Sequence, residues 1–160
     1  MAENKEISTS SLQIVCFKIA NEEYGIDILK VQEIQKIPEI TQIPRSVEYI
    51  KGVIDLRGKV IPIVDLSVKF GIKKPEETEF DRAIMIDVDD KKGDHPKRIG
   101  LAIDNVSHVV RVDSNDIEPP PPVVKGISGK YIIGIAKLED RFVVILDINQ
   151  IFTSSDISAL

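Results

Sequence analysis

The chain repeats itself, and that narrows its possible folds more than any other feature. Tyr49-Ile50-Lys51-Gly52-Val53-Ile54-Asp55-Leu56-Arg57-Gly58-Lys59-Val60-Ile61-Pro62-Ile63-Val64-Asp65-Leu66 can be laid over Tyr131 to Ile148 at a constant offset of 82 residues. Tyr, Gly, Leu and Asp recur in place, most apolar positions match, and Phe70 finds Phe152. A second match sets Gly25-Ile26-Asp27-Ile28 over Gly100-Leu101-Ala102-Ile103 at an offset of 75, and carries Val31 onto Val106 and Ile34 onto Val109. The earliest apolar runs, Ile14 to Ile19 and Ala83 to Val88, correspond only in hydrophobicity. Shared Tyr, Gly and Asp positions are not a by-product of Ile/Val patterning, so the chain reads as two similar halves.

Each half has the same order: strand, turn, strand, a kinked connection, a hairpin and a terminal helical turn. The composition agrees, with 27 Ile and 16 Val against 8 Leu in 160 residues. β-Branched side chains suit pleated, half-buried strands. The hairpin turns are expected at Arg57-Gly58 and Glu139-Asp140, where Gly or Asp tolerates the positive φ of a tight turn. Asp65 and Asp147 are expected to cap short helices over Leu66 to Phe70 and Ile148 to Phe152. Five short strands per half suit a small closed barrel, so the predicted fold is all-β: two similar five-stranded barrels with short helical turns. The expected layout is a tail over 1–10, a domain over 11–152 with subdomains of about 11–72 and 80–152 whose strands can interleave, and a tail over 153–160. Lys73 to Glu79 would join the halves, Asp89 to Asp94 would form a solvated hairpin loop, and Pro119 to Pro122 a stiff spacer.

Composition also excludes function classes. A net charge of −5 and eight aromatics oppose the electrostatics and base stacking of nucleic-acid binding. The lone Cys16 lies in an apolar run, which excludes a disulfide framework and suits a reducing cytosol. No apolar stretch approaches the length of a membrane span, so a cytoplasmic protein is expected.

The inventory for catalysis is thin. His95 belongs to a charged loop, and His108, at the start of a strand, is expected to face a partner or solvent. One Cys and two separated His do not make a zinc site. Gly126-Ile127-Ser128-Gly129-Lys130-Tyr131 ends like a phosphate-binding loop but lacks two spacer residues and has Tyr in place of the hydroxyl residue. Asp87 to Lys92 opens like a calcium loop, yet lysines fill positions that need an oxygen ligand and a glycine. No catalytic residue, metal or cofactor is therefore assigned. Two polar residues stand where packing does not need them: Arg57 at a hairpin tip, and Glu33 among the alternating apolar residues of an apparent strand from Ile28 to Ile34.

The segments Tyr24 to Ile34 and Ile50 to Leu66 closely resemble the CheW family of bacterial chemotaxis adaptors. The resemblance runs from about Leu12 to Phe152 and takes in Gly100 to Val106 and the second hairpin. Asp55 stands where the family more often has Asn, and the Asp90 to Lys97 loop is longer than usual. The resemblance implies two intertwined SH3-like barrels and a non-enzymatic role. CheW-like proteins couple the cytoplasmic tips of methyl-accepting chemotaxis receptors to the histidine kinase CheA, whose regulatory domain shares their fold. On that basis the receptor's helical hairpin is expected in an apolar groove between the barrels, with Val31, Glu33, Ile34, Ile84 and Val106 as groove residues. Gly52 and Arg57 are expected to touch receptor or kinase. The protein would then be cytoplasmic and recruited to membrane receptor arrays through its partners, without membrane insertion. The competing readings are a stand-alone copy of the kinase's regulatory domain, a relative of the adaptor-receiver proteins lacking its receiver, or an RNA-binding small barrel.

Overall fold

The computed structural model describes residues 11–19, 22–44, 46–72, 80–89, 95–103, 105–124 and 126–152. The expected tails, the joint at 73–79 and the loop over 90–94 lie outside the described residues. Among the described residues thirteen strands run in order: β1 Ser11–Ile19, β2 Glu22–Asp27, β3 Val31–Lys36, β4 Ile50–Leu56, β5 Lys59–Asp65, β6 Arg82–Val88, β7 Lys97–Ile103, β8 Asn105–Asp113, β9 Ile117–Glu118, β10 Val123–Val124, β11 Ile127–Ser128, β12 Ile132–Lys137 and β13 Phe142–Leu146.

The sheets cut across the sequence halves. Among the described residues one has the order β8-β1-β2-β13-β12-β9 and a second β3-β6-β7-β5-β4, while β10 and β11 pair only with each other. Each half lends its first hairpin to the other half's sheet, and the exchange is reciprocal residue by residue. Gly25 of β2 pairs in parallel with Ile145 of β13, while Gly100 of β7 pairs in parallel with Ile63 of β5. Those are the same repeat positions in both sheets. A Cβ on Gly25 would meet Ile14 Cδ1 at 2.9 Å, and one on Gly100 would meet Ile63 Cδ1 at 2.7 Å, so glycine lets neighbouring strands fill each barrel. The segments 11–72 and 80–152 are thus units of sequence and not separate bodies in space.

Both barrels close in the same way. After the 3-10 turn Ser114–Asp116 the chain re-enters as β9 to pair with β12, matching Glu118 to Ile135. After β3 it reaches Thr41, which bridges Val53 of β4. At these seams the repeat places Gly52 and Gly134, each next to a register shift in its strand.

Three apolar clusters hold the assembly. Ile14, Cys16, Val112, Ala136, Val143 and Ile145 fill one barrel. Ile54, Ile61, Ile63, Ala83, Met85 and Ala102 fill the other. The largest cluster draws on both sheets, with Phe17, Tyr24 and Ile26 from one and Ile84, Ile86 and Leu101 from the other, and it welds the barrels together. Successive strand residues point to opposite faces, so each shared strand feeds its own barrel with one set and the seam with the other.

Local chemistry follows the residues with two exceptions. Asp65 caps Leu66–Phe70 by accepting from the Ser67 amide at 3.0 Å, and Gly71 ends that helix at φ 71°. Asp147 occupies the equivalent position but makes no side-chain capping bond; its backbone carbonyl accepts from Ile151 instead. Of the two repeated hairpins, β4–β5 and β12–β13, in the first Arg57 itself takes φ 52° beside Gly58 at 83°. In the second, the Leu138 amide donates to the Arg141 carbonyl at 2.9 Å and closes Glu139-Asp140 without positive φ.

Candidate functional site

β3 and β4 are the two ends of the five-stranded sheet. A register shift between Val31 and Glu33 interrupts the alternation of β3 and re-aims its side chains. The two-residue Arg57-Gly58 turn is pinned by the Gly58 amide, which donates to Asp55 Oδ1 at 3.0 Å. These local events bring together the two charged residues singled out from sequence: Arg57 Nη2 donates to Glu33 Oε2 at 2.6 Å across a separation of 24 residues. Gln35 donates to the carboxylate's other oxygen. Arg57 remains 65% exposed and Glu33 25% exposed. A surface pair of this kind is worth about 0–1 kcal/mol, so the arrangement contributes little to folding.

Val31 and Ile34 stand beside this pair, half-buried, packed against the edge of the inter-barrel core together with Ile28. They form the described apolar rim of the seam. Ile84 does not belong to it. Its side chain is wholly buried among the inter-barrel residues, because its register opposite Ile34 on β6 points it into the weld and leaves no surface for a ligand. Gly52 is also buried. At φ 151° it sits where a Cβ would come within 2.4 Å of the Thr41 carbonyl oxygen, so its glycine serves barrel closure and presents no side chain to a partner. Val106 of β8 pairs with Phe17 of β1, and its side chain lies outside the described residues.

The chain around β3 holds a residue that pattern reading missed. Asp27 accepts from the Leu29 amide at 3.0 Å and starts a 3-10 turn over Ile28–Lys30, so the expected strand begins only at Val31. The turn leaves Leu29 82% exposed next to the rim. The available signal was Asp27 itself, a residue that binds its own backbone two positions on and breaks a strand.

The six-stranded barrel has a corner of its own. The offset that carries Val31 onto Val106 carries Glu33 onto His108, and His108 Nε2 lies 2.7 Å from Arg141 Nη2. Arg141 Nε is 2.8 Å from Glu23, an ion pair not aligned as a hydrogen bond, and Nη1 donates to Asp140 at 3.1 Å.

Nothing described here assembles a reaction centre. The Cys16 thiol is driven up to about 12, first by burial and then by the neighbouring Glu23, which makes it inert as a nucleophile at neutral pH. Among the described residues no three His, Cys, Asp or Glu side chains are grouped to hold a metal. A cleft of about 200 Å³ lies between the start of β1, the Ile28–Lys30 turn and Arg111. No helix among the described residues is long and apolar enough to cross a membrane.

Comparison with known proteins points one way. Residues 13–156 match the model of the CheW-like domain. The chain is 30% identical to the chemotaxis protein CheW of Treponema pallidum, covering 96% of this chain and 89% of that protein. It is 33% identical to the chemotaxis protein CheW of Klebsiella aerogenes over 94% and 87% respectively. Its fold superposes on a crystal structure of the scaffolding protein TtCheW from Thermoanaerobacter tengcongensis with a TM-score of 0.78 and 39% identity, covering 91% of this chain and 90% of the other.

Proposed function

The chain belongs to the CheW-like family, and from that premise we propose that it is a chemotaxis scaffold coupling methyl-accepting receptors to the histidine kinase CheA. It does so by contact alone, without catalysis, metal or cofactor. Its place is the cytoplasm, where it is held at membrane receptor arrays by its partners. The observation that carries this reading is the corner where Glu33 and Arg57 meet beside the apolar rim of Val31 and Ile34.

An amphipathic receptor helix laid along the rim gains affinity from a few apolar anchors, while the charges beside them set register and reject wrong partners. The Arg57 turn, largely exposed, is free to meet the receptor or the kinase's regulatory domain. Holding both partners on one welded body raises their effective concentration for each other. A receptor state alters kinase output only through its differential affinity for the kinase's two states, and the rigid inter-barrel core transmits that bias without absorbing it. Because the similarity spans nearly the whole length of whole adaptors, the adaptor reading is preferred to that of an isolated kinase regulatory domain.

A pull-down combining the chain, the purified kinase regulatory domain and the receptor tip tests this. A ternary complex is expected, and failure to bind either partner overturns the reading.

A further inference from the structure

Glu33 offers its carboxylate to two donors, and Arg57 is only one of them. Gln35, two residues further along β3, donates through Nε2 to Oε1, while Arg57 Nη2 donates to Oε2 at 2.6 Å. We infer that Gln35 is a positioning residue of the Glu33–Arg57 corner: by occupying Oε1 it holds Arg57 to a single bond and keeps the rest of the guanidinium fork open to a partner. Resting on the reading of the corner as a contact surface, this gives Gln35 the task of keeping that surface receptive.

Hydrogen-bond valence fixes the direction of both bonds. A carboxylate paired with a guanidinium has only acceptors to offer, so the Gln35 amide meets it through its NH2 group. A guanidinium is a planar fork of N–H donors and grips a carboxylate best with a parallel pair of them. The same sheet shows that grip completed. Among the described residues no side-chain amide shares Asp87, and there Arg98 Nε donates to Oδ1 at 2.9 Å and Nη2 to Oδ2 at 3.2 Å, filling both oxygens. The doubly held Arg98 is 31% exposed, whereas Arg57, with a single bond to Glu33 among the described residues, is 65% exposed.

The strand places Gln35 for this task. Residues two apart on a strand share a face, and the register beyond the β3 bulge sets Glu33 opposite Met85 and Gln35 opposite Ala83. Both neighbours belong to the apolar filling of the five-stranded barrel and offer the amide no competing oxygen. Gln35 is half-buried, which shields its bond from water. Arg98 lies within electrostatic reach of Glu33 but is committed to Asp87 by two bonds. Without the Gln35 donor, Oε1 is open to a second N–H of Arg57, and the fork closes on Glu33 in place of the partner.

The test uses the full chain, titrated separately with the receptor tip and with the kinase regulatory domain. Gln35→Met keeps the side chain's length and flexibility and removes its donor, Gln35→Lys keeps a donor, and Arg57→Glu reports whether the corner is used at all. Toward the partner whose affinity Arg57→Glu lowers, Gln35→Met is expected to bind about tenfold more weakly than the native chain, and Gln35→Lys to bind as the native chain does. A crystal structure of the Gln35→Met chain is expected to show Arg57 on both oxygens of Glu33. Native affinity of Arg57→Glu for both partners overturns the reading of the corner as a contact surface. Loss in Arg57→Glu with native affinity in Gln35→Met, equal loss in Gln35→Met and Gln35→Lys, or an Arg57 still held by one oxygen in Gln35→Met overturns the role of Gln35 alone.

Discussion

Arg57 Nη2 reaches Glu33 Oε2 at 2.6 Å, joining the tip of the β4–β5 hairpin to β3 at the opposite end of the same sheet. Arg57 does this from φ 52°, a left-handed conformation that costs a side chain bearing Cβ roughly 1–2 kcal/mol and is held here at an exposed turn. An ion pair of about 0–1 kcal/mol does not outweigh that cost, so the contact with Glu33 does not by itself account for the left-handed turn. Arg57→Gly is expected to leave stability unchanged or raise it by about 1 kcal/mol, while lowering receptor-dependent kinase activation by about tenfold or more. Thermal melts and a reconstituted phosphorylation assay check both halves. A stable variant with normal activation removes Arg57 from the contact surface.

Val31 bears on the apolar part of the same surface. Val31→Asp places a charge at the edge of the inter-barrel core and is expected to weaken receptor-tip binding by at least about 1.4 kcal/mol, or tenfold. Because Val31 is half-buried, a stability loss of about 1–3 kcal/mol accompanies the change. Leu29→Ser, at an 82% exposed position, supplies the control in which folding is untouched. Titration calorimetry showing native affinity in both variants refutes the rim.

Gly52 tests barrel closure. Gly52→Ala forces a Cβ to within 2.4 Å of the Thr41 carbonyl oxygen in a backbone region that L-residues avoid, and is expected to cost about 2–4 kcal/mol. Gly134→Ala, its repeat partner, meets Ile117 Cγ2 at 2.6 Å and the Glu118 carbonyl oxygen at 2.7 Å, and is expected to destabilise less because its φ is ordinary. Urea unfolding ranks them, and the opposite order contradicts this account of the seam.

Two buried groups set an alkaline limit. Burial, then Glu23, raises the Cys16 thiol to about 12, and burial, then Glu22, raises the Tyr24 hydroxyl to about 12. Both are more willing to ionise in the unfolded chain than in the native one, so their contribution is full below the unfolded values. It is lost as pH rises toward 12. Stability is expected to decline from about pH 9 upward, less steeply in Cys16→Val and in Tyr24→Phe. Tyr24→Phe is also expected to be neutral or stabilising at pH 7, since the buried hydroxyl has no hydrogen-bond partner among the described residues. Equal alkaline slopes in all three proteins contradict the assignment.

The repeat made much of this architecture legible. Positions shared for steric reasons, such as Gly25 with Gly100 and Gly52 with Gly134, turn out to be the close approaches of two like barrels. What the residues alone could not express is which half completes which barrel. The parallel pairs Gly25–Ile145 and Gly100–Ile63 join segments far apart in the chain, and periodicity is blind to such partners. The same blindness misplaced Ile84: alternation says that a residue faces an apolar side, yet the weld between barrels and a groove beside it look identical in sequence. Glu33 and Arg57 stood out as charges that packing did not need, but only the β3 bulge and the left-handed turn bring them together.

Receptor control of the kinase is the most direct measurement of the scaffold role. In a mixture of receptor tips, kinase and this chain, kinase autophosphorylation is predicted to depend on the receptor only when the chain is present, and that dependence is predicted to vanish with Arg57→Glu while the variant's melting curve stays native. Equal receptor dependence without the chain, or full dependence with Arg57→Glu, contradicts the role assigned to the Glu33–Arg57 corner.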